Sequence, residues 1–352
     1  MIENNSHFDS TELLSVDDLL QSLLDKIDSD FIHTETLEFI NQFQLSQNIK
    51  SSSNLFFDLN HLDQNKDINE YLRIVNENML NQSKKYFLGL VKTAEDIKKS
   101  SVFIKTPILK YLYIAHLFIF KRFLPKVFIF KKIPFIKSLR ICSQAEIMGR
   151  LHYSGFRILQ FEKLENNNLH FFLVTRDAET KKEKIQEGLF IYLNRIGKDG
   201  KLFKVFKIRT MHPYSEFIHQ YLIQNNGFDG KGKIKNDFRT SGWGKFLRRT
   251  WIDELPQLIN VLKGDMKIFG IRPVSESYFN TLDQAYKKER IKFKPGCIPP
   301  YLVFSENSSK NEVLNSEKEY MKKCIENETF WLDLKYTFIS VYNILFKGRR
   351  SL

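Results

Sequence analysis

The chain has 352 residues, of which 42% are hydrophobic, and a formal net charge of +13. This predicts a folded protein of two domains, or of one domain with a large extension. Cys142, Cys297 and Cys324 are too few and too scattered for a disulfide framework or a zinc site, so we expect a reducing, cytosolic environment. We also expect no secretory signal and no membrane span, because the sequence shows neither a basic, apolar leader nor about 18 consecutive apolar residues.

Charge is unevenly distributed along the chain. Residues 1–50 hold ten acidic residues and two lysines, a net charge of −8, whereas residues 101–140 hold nine Lys or Arg and no acid. A basic excess predicts an anionic partner, such as nucleotide phosphates, lipid headgroups or nucleic acid.

The N-terminal half predicts a helical segment followed by an α/β module. Apolar residues recur at helical spacing from Leu13 to Ile27, so we expect residues 1–50 to form an acidic helical segment. Residues 51–180 then show a short buried strand ("YFLGLV"), a helix ("SQAEIMGRLHYSGF") that stops at a glycine, and two strands joined by an Asn-rich turn. No glycine-rich phosphate loop occurs there, so the module is expected to be degenerate. The charged stretch 178–188 marks the expected domain boundary.

Residues 106–139 form a basic aromatic segment within this module. Aromatic and aliphatic clusters alternate with single lysines and with Pro125 and Pro134. The longest apolar run, from Tyr111 to Phe120, is about half a bilayer crossing at 1.5 Å per residue. Two interpretations stay open: contact with a membrane interface, with lysines reaching the headgroups, or a buried helix pair with a solvated basic face.

The second half begins with a predicted hairpin. Residues 188–211 indicate two strands around the turn "GKDG". The second strand places Lys207 and Arg209 on an imperfect basic face, which either borders a pocket or is simply solvated.

A helix start is predicted in "TWIDELPQLINVLKGDM", residues 250–266. Pro256 suits a first helical turn, where its missing N–H is not needed, and Gly264 suits a helix end. Asp253 and Glu254 therefore lie at the N-terminal end, where unpaired N–H groups and the helix dipole favour negative charge or phosphate. The apolar stripe of this helix consists of Leu258, Ile259 and Leu262.

This constellation has a clear chemical use. An ionised carboxylate held among cations can attack phosphorus, and a neighbouring carboxylate can hold a divalent metal. Arg248, Arg249 and Arg272 can make bidentate phosphate contacts. Taken alone, however, an Asp-Glu pair before a helix is more often only a cap.

The C-terminal stretch "FWLDLKYTFISVYNILFKGRR" predicts a last helix followed by cations. Such a helix serves equally well as core or as membrane contact. Its apolar stripe consists of Trp331, Leu334, Phe338, Val341 and Leu345.

Residues 188–273 resemble the bacterial sugar transferases that act as monotopic polyprenyl-phosphate glycosyl-1-phosphate transferases. The stretches that carry the resemblance are "FIYLNRIGKDGKLFKVFKIRTM", "NDFRTSGWGKFLRRTWIDELPQLINVLKGDMKIFGIRP" and, beyond them, "RIKFKPG". The long N-terminal extension is similar to that of one subgroup. The resemblance implies an α+β fold, with a small mixed catalytic domain of helices and a short hairpin over residues 188–352, preceded by the degenerate α/β module.

The resemblance also implies a reaction. Such enzymes transfer a sugar-1-phosphate from a UDP-sugar to polyprenyl phosphate through a phospho-aspartate intermediate and release UMP. Asp253 is the implied nucleophile, and Glu254 the residue associated with Mg²⁺. Asp237 and Arg239, which we expect to pair locally, are weak site candidates. Five cations are implied by the resemblance or expected from their charge as phosphate ligands: Arg248, Arg272, Lys207, Arg209 and Arg249.

Partners and location follow from the same resemblance. It implies a UDP-sugar, a polyprenyl phosphate lipid and a membrane surface as partners, in the initiation of exopolysaccharide or lipopolysaccharide synthesis. The expected place is the cytoplasmic face of the bacterial inner membrane, with peripheral or monotopic attachment. A homo-oligomer stays open. No nucleic acid partner is expected, because no known recognition motif for it occurs.

Three stretches depart from the family pattern. Where the family carries an apolar re-entrant helix, this chain reads "RDAETKKEKIQEG". The usual "GPRP" reads "GIRP", with Ile271, and "KPG" is followed by "CIPPYLVFSEN" instead of a Trp-Gln stretch. An alternative is therefore a non-catalytic, membrane-associated assembly partner that retains the transferase fold; the retained acids and arginines favour an enzyme.

Overall fold

The computed structural model of the chain divides into two units. The first comprises residues 1–187 and 212–239, and the second residues 188–211 and 240–352. The residues that the structure describes are 38–39, 55–65, 67–81, 86–100, 106, 109, 112, 113, 116, 120, 141–164, 169–183, 185–228, 234–305, 310–327 and 330–347.

The first unit contains a five-stranded sheet of order β1-β2-β3-β5-β4. Strands β1 to β3 are parallel, whereas β5 runs antiparallel to both β3 and β4. The strands are β1 (Glu38–Phe39), β2 (Leu55–His61), β3 (Tyr86–Val91), β4 (Phe156–Leu164) and β5 (Leu169–Arg176). A 3₁₀ turn (Leu62–Gln64) follows β2, and the helices are α1 (Ile68–Asn81), α2 (Ala94–Ser100), α3 (Gln144–Tyr153) and α4 (His219–Asn226).

The predicted strand, helix and strand pair of this unit are confirmed. Ser143 caps α3 by accepting a hydrogen bond from the Glu146 amide, and Gly155 beyond its end has a φ of 86°, which suits glycine. The sheet is buried on both faces: Phe87 and Val91 of β3 join one core cluster, and Leu88 joins another. This explains the uninterrupted apolar run of β3.

Two predicted segments lie largely outside the described residues. Of the acidic segment 1–50 only β1 is described, and of the basic aromatic segment 106–139 only six positions are. Within the described part of the chain, no helix is both long enough and apolar enough to cross a membrane.

The second unit has the mixed helix and strand content of the predicted α+β fold. A hairpin of β6 (Phe190–Ile196) and β7 (Leu202–Ile208) encloses the 3₁₀ turn Lys198–Gly200. A short parallel pair, β8 (Lys267–Phe269) and β9 (Gly296–Ile298), lies later in the chain. The helical elements are α5 (Gly242–Thr250), the 3₁₀ helix Ile252–Gln257, α6 (Leu258–Leu262), α7 (Glu276–Asn280), α8 (Gln284–Arg290), α9 (Tyr301–Phe304), α10 (Lys310–Asn327) and α11 (Phe330–Phe346).

Aromatic rings form the core of this unit. Phe269 lies with its ring centroid 5.1 Å from that of Tyr320 and 5.3 Å from that of Tyr336. Ile271, at the position where the resemblance expects proline, is buried in the same cluster. The predicted C-terminal stripe is not core, because most of its residues are exposed on α11: Trp331, Phe338, Val341 and Leu345.

Helix α5 packs closely against the end of β7. A Cβ on Gly244 would lie 2.0 Å from the carbonyl oxygen of Thr210, so only glycine allows this approach. The contact brings Arg248 to Thr210, whose hydroxyl oxygen accepts a hydrogen bond from the Arg248 Nε at 2.9 Å.

Gly244→Ala should destabilise the second unit. The added methyl group would push α5 away from β7 and lower the free energy of unfolding by about 1–3 kcal/mol. Chemical denaturation followed by tryptophan fluorescence measures this unit alone, because all three tryptophans, Trp243, Trp251 and Trp331, lie in it. Gly242→Ala is the matched control, since a Cβ there meets nothing within 4 Å; equal loss in both variants would contradict the close-packing argument.

Candidate functional site

The acid pair lies in a 3₁₀ helix and not in an α-helix. Trp251 has a left-handed backbone (φ 61°), which ends α5 and turns the chain into the 3₁₀ helix. Asp253 and Glu254 occupy its first turn, and Pro256 lies inside it. The predicted α-helix is reduced to the five residues of α6. The acids therefore lie at the N-terminal end of a helix, as predicted, but this helix is a 3₁₀ helix, which is wound more tightly than an α-helix.

Glu254 is held by two cations and an amide. Its Oε1 accepts a hydrogen bond from Lys207 Nζ at 2.8 Å and lies 3.8 Å from Arg272 Nη2. Its Oε2 accepts from Gln257 Nε2 at 2.7 Å. Burial by itself would raise the pKa of Glu254, but Lys207 and Arg272 outweigh it and hold this pKa below its usual value. Glu254 is therefore ionised at neutral pH.

The environment of the Asp253 carboxyl group differs from that of Glu254. It is only 6% exposed, and its Oδ1 has no hydrogen-bond partner among the described residues. Burial and the charge of Glu254 raise the pKa of Asp253, although Lys207 and Arg248 oppose them. A buried carboxylate oxygen without a partner is costly, so this carboxyl is suited to an incoming electrophile or cation and not to stabilising the fold.

A cavity of about 70 Å³ is lined by Glu254 of the acid pair. It has room for a small anion, since roughly 10–15 Å³ in this measure admits one water. Among the described residues, its lining includes three cationic side chains, Arg195, Lys207 and Arg272, and a single acid, Glu254. Burial and the nearby Arg272 lower the pKa of Arg195, so an anion between them would relieve the repulsion. Asp253, which precedes Glu254 in the chain, is buried and does not line the cavity itself.

Asn260 fixes the acids relative to β7. Its Nδ2 donates to the carbonyl oxygen of Lys204 at 2.7 Å, and its Oδ1 accepts from the amide of Phe206 at 3.1 Å. The side-chain amide thus continues the backbone pairing of the strand. Because Lys207 is the next residue of β7 after Phe206, these two bonds fix the backbone from which its side chain reaches Glu254.

A buried ion pair fixes the backbone of Arg272. Glu317 accepts a hydrogen bond from the Arg272 amide at 3.2 Å, and Arg290 donates to the Arg272 carbonyl oxygen. Arg290 and Glu317 also pair with each other, and both are almost fully buried. Tyr286 donates to the second oxygen of Glu317 at 2.6 Å. The Arg272 guanidinium consequently extends from a rigid backbone toward Glu254.

The other predicted cations lie at the margin. Arg248 and Arg249 are exposed, and Arg248 contributes to the electrostatic environment of Asp253. Arg209 donates from Nε to the carbonyl oxygen of Gly188 at 3.0 Å. None of these three lines the cavity. The expected pairing of Asp237 with Arg239 is confirmed at 2.6 Å, but it lies in the first unit.

Four site residues were not predicted. Arg195, Gln257 and Cys297 line the cavity, and Asn260 anchors β7. Arg195 precedes the predicted turn on β6 and gave no distinct signal, and Asn260 and Gln257 read as ordinary polar residues of a helix. Burial and the charge of Glu254 raise the pKa of Cys297 to about 12, so its thiol stays protonated.

The arrangement of acids limits how a metal could bind. Within the described residues, no three His, Cys, Asp or Glu side chains are grouped to hold a metal ion. A single carboxylate does suit Mg²⁺ when phosphate oxygens and water complete its shell. Glu254 Oε2, bonded to the neutral amide of Gln257, and the unpartnered Oδ1 of Asp253 are the oxygens that fit.

Comparison with known proteins places these residues in a family. The bacterial sugar transferase family matches residues 171–347, which is half of the chain. Similar proteins include the galactosyl transferase CpsE of Streptococcus agalactiae, 33% identical over 43% of this chain and 33% of that protein. A UDP-glucose:undecaprenyl-phosphate glucose-1-phosphate transferase of Klebsiella pneumoniae is 36% identical over 42% of this chain and 30% of its own.

Coverage of the relatives differs. The matched part of this chain spans about a third of CpsE and of the Klebsiella transferase. It spans 72% of the uncharacterised sugar transferase EpsL of Bacillus subtilis, at 31% identity. A possible exported protein from Bordetella parapertussis gives a TM-score of 0.22 at 12% identity over 37% of this chain and 40% of its own, a similarity too small to bear on the fold. From the family match and the relative covered over most of its length, the chain belongs to the bacterial sugar transferase family.

Proposed function

We propose that this protein transfers a sugar-1-phosphate from a UDP-sugar to a polyprenyl phosphate. The observation that supports this most is the acid pair beside a cavity with surplus positive charge, within the region that matches the family. Relatives are named as transferases that use UDP-glucose and undecaprenyl phosphate. A non-catalytic assembly partner would have no need for a buried, unpartnered carboxylate oxygen at Asp253.

The first proposed step forms a covalent intermediate. An oxygen of ionised Asp253 attacks the β-phosphorus of the UDP-sugar, and the bond from that phosphorus to the bridging oxygen breaks. UMP leaves with that oxygen, and the sugar-1-phosphate stays on Asp253. Arg195, Lys207 and Arg272 would balance the charge of the diphosphate, because all three line the cavity next to Glu254.

The second proposed step passes the group to lipid. A phosphate oxygen of the polyprenyl phosphate attacks the same phosphorus, and the Asp253 carboxylate leaves. The product is a polyprenyl diphosphate sugar, and the enzyme is regenerated. The burial of Asp253 suits this transfer, because water that reached the phosphosugar–enzyme intermediate would hydrolyse it.

Mg²⁺ is part of the proposal. Glu254, with Asp253 Oδ1 and phosphate oxygens of the substrate, would hold it, and a bound Mg²⁺ would neutralise charge on the diphosphate. We also propose that the protein acts at the cytoplasmic face of the inner membrane, in the initiation of a surface glycan; the lipid acceptor supports the membrane location.

The covalent step predicts a labelled protein. Full-length protein incubated with UDP-glucose or UDP-galactose radiolabelled in the β-phosphate should retain label after denaturation. Asp253→Asn should abolish this labelling and should lower the rate of UMP release by about 10³-fold or more. Glu254→Gln is the comparison, because it removes the neighbouring carboxylate but leaves the nucleophile. Label that survives in Asp253→Asn and vanishes in Glu254→Gln would reverse the two roles.

Arg195→Gln should weaken binding of the UDP-sugar. Loss of one charge-assisted contact to phosphate should raise KM roughly tenfold or more, with a smaller effect on kcat. Steady-state UMP release measures both constants. Lys198→Gln removes the same charge from the exposed turn of the same hairpin, outside the cavity lining, and an equal KM increase there would indicate general charge loss instead of a phosphate contact.

Asp253→Asn should stabilise the fold at neutral pH. Because the folded-state pKa of Asp253 is raised, its stabilising contribution is complete below the unfolded-state pKa, about 3.9, and is lost as pH rises through the folded-state value. The variant should therefore unfold at higher urea concentration than the wild type at pH 7, and the difference should shrink on acidification. Asp265→Asn, an exposed acid of the same unit, should show no such difference; a less stable Asp253→Asn at pH 7 would contradict the argument.

A further inference from the structure

Trp251 joins α5 to the 3₁₀ helix, two residues before Asp253. Its backbone is left-handed, with φ 61° and ψ 7°. This conformation suits glycine, whereas it is an outlier for a bulky side chain. Strained backbone of this kind persists where the surrounding structure enforces it, and it is concentrated at active sites and ligand clamps. A tryptophan at this position is therefore better explained by what its side chain binds than by the turn that its backbone makes.

The indole N–H group of Trp251 is buried and unsatisfied. Its Nε1 has no hydrogen-bond partner in the part of the chain that the structure describes. An indole nitrogen only donates, so only an acceptor can satisfy it. Among the described side chains of the second unit, three buried polar atoms lack a partner, and two of them, Trp251 Nε1 and Asp253 Oδ1, belong to residues two positions apart. Leaving both groups unpaired is costly, which indicates that this turn receives a ligand.

The two unpaired groups are complementary to a phosphoryl group. One is a donor and the other an acceptor, yet they do not bond to each other. The Glu254 amide donates to the carbonyl oxygen of Trp251 at 3.0 Å, so one hydrogen-bonded turn carries both groups. A cation would satisfy the carboxylate and leave the N–H group without an acceptor. A phosphoryl group satisfies both, because its phosphorus accepts a carboxylate oxygen and its non-bridging oxygens accept hydrogen bonds.

Positive charge around the turn favours an anionic ligand. Lys207 and Arg248 both contribute positive charge to the environment of Asp253. Neither Asp253 nor Trp251 lines the cavity that contains Arg195. The cations of the cavity are therefore available to the rest of the diphosphate, whereas a phosphoryl group bonded to Asp253 needs a donor on the turn itself.

We propose that Trp251 Nε1–H donates a hydrogen bond to a non-bridging oxygen of the phosphoryl group that reacts with Asp253. The inference rests on the proposed function and adds a catalytic residue to it. Whether Asp253 Oδ1 bonds phosphorus or Mg²⁺, a phosphate oxygen of the substrate comes next to that carboxyl group. The N–H group gains its partner only when phosphorus reaches Asp253. The indole therefore stabilises the transition state and the intermediate more than it stabilises the bound substrate.

Nuclear magnetic resonance of the full chain, labelled with ¹⁵N, tests the contact. The three tryptophans should give three indole N–H signals. Trp243→Phe and Trp331→Phe, both at exposed positions, identify two of them and leave the third to Trp251. UDP-glucose, UDP-galactose or UDP, each with Mg²⁺, should move the Trp251 signal downfield, because a charged oxygen acceptor deshields the proton. The signal of Trp331, which is 73% exposed on α11, should stay in place as the internal control.

The rate of the first chemical step tests the catalytic role. Trp251→Phe keeps an aromatic ring but removes the N–H group, and it should slow phosphosugar formation about 10- to 100-fold with less than about a threefold change in KM. Trp243→Phe makes the same change on α5, where Trp243 is 45% exposed, and should leave the rate unchanged. An increase in KM that accounted for the whole loss of kcat/KM would give the ring a binding role only and would contradict the proposal.

The outcomes separate this inference from the proposed function. A Trp251 signal that stays in place while the wild type releases UMP would show that the indole bonds only water, and it would overturn this inference alone. A signal that moves with each nucleotide, without UMP release or labelling from either UDP-sugar, would support the phosphate contact and overturn the proposed function. Absence of both the shift and the UMP release would overturn both. Because the signal is measured on the unmodified protein, this decision does not depend on the folding of Trp251→Phe.

Discussion

The site depends on one buried side-chain amide. Asn260 is fully buried and bonds to the backbone of β7 on both sides of Val205. Since Asn260 follows the 3₁₀ helix by three residues, it ties the acids to the strand that carries Lys207. The Lys207–Glu254 ion pair results from this tie, because two flexible side chains meet reliably only when their backbones are fixed. An apolar residue at position 260 would leave two backbone groups without partners.

A second constraint acts on the opposite wall of the cavity. The buried Arg290–Glu317 pair bonds to both the amide and the carbonyl of Arg272. Buried ion pairs contribute little net stability, because desolvation offsets their attraction. This pair instead determines a backbone position. Lys207 and Arg272 are thus held by unrelated parts of the unit, and Glu254 receives both of them.

The sequence predicts which segments form helices and strands better than it predicts which of their faces are buried. The strands β3 to β7 and helix α3 follow from apolar patterns and turn residues, which act locally. The acid pair and its cationic neighbours Lys207, Arg248 and Arg272 are predicted from their charges together with the family resemblance, since the Asp-Glu pair alone would also fit a helix cap. Arg195 and Asn260 were missed, since their importance comes from strand pairing and burial and not from spacing. The spacing of Leu258, Ile259 and Leu262 predicts that they share one face of a helix, but it does not determine whether that face points into a core or outward.

The segment 212–239 has a consequence for how the chain can change. It leaves the second unit after β7 and returns just before α5, where Met211 and Thr240 form an antiparallel bridge and the His212 amide donates to the Arg239 carbonyl at 2.8 Å. Its two ends are therefore joined at a hydrogen-bonded neck. Closing such a loop costs little more as it lengthens. Evolution could exchange or enlarge the excursion between these two rungs while the surrounding transferase scaffold kept its backbone.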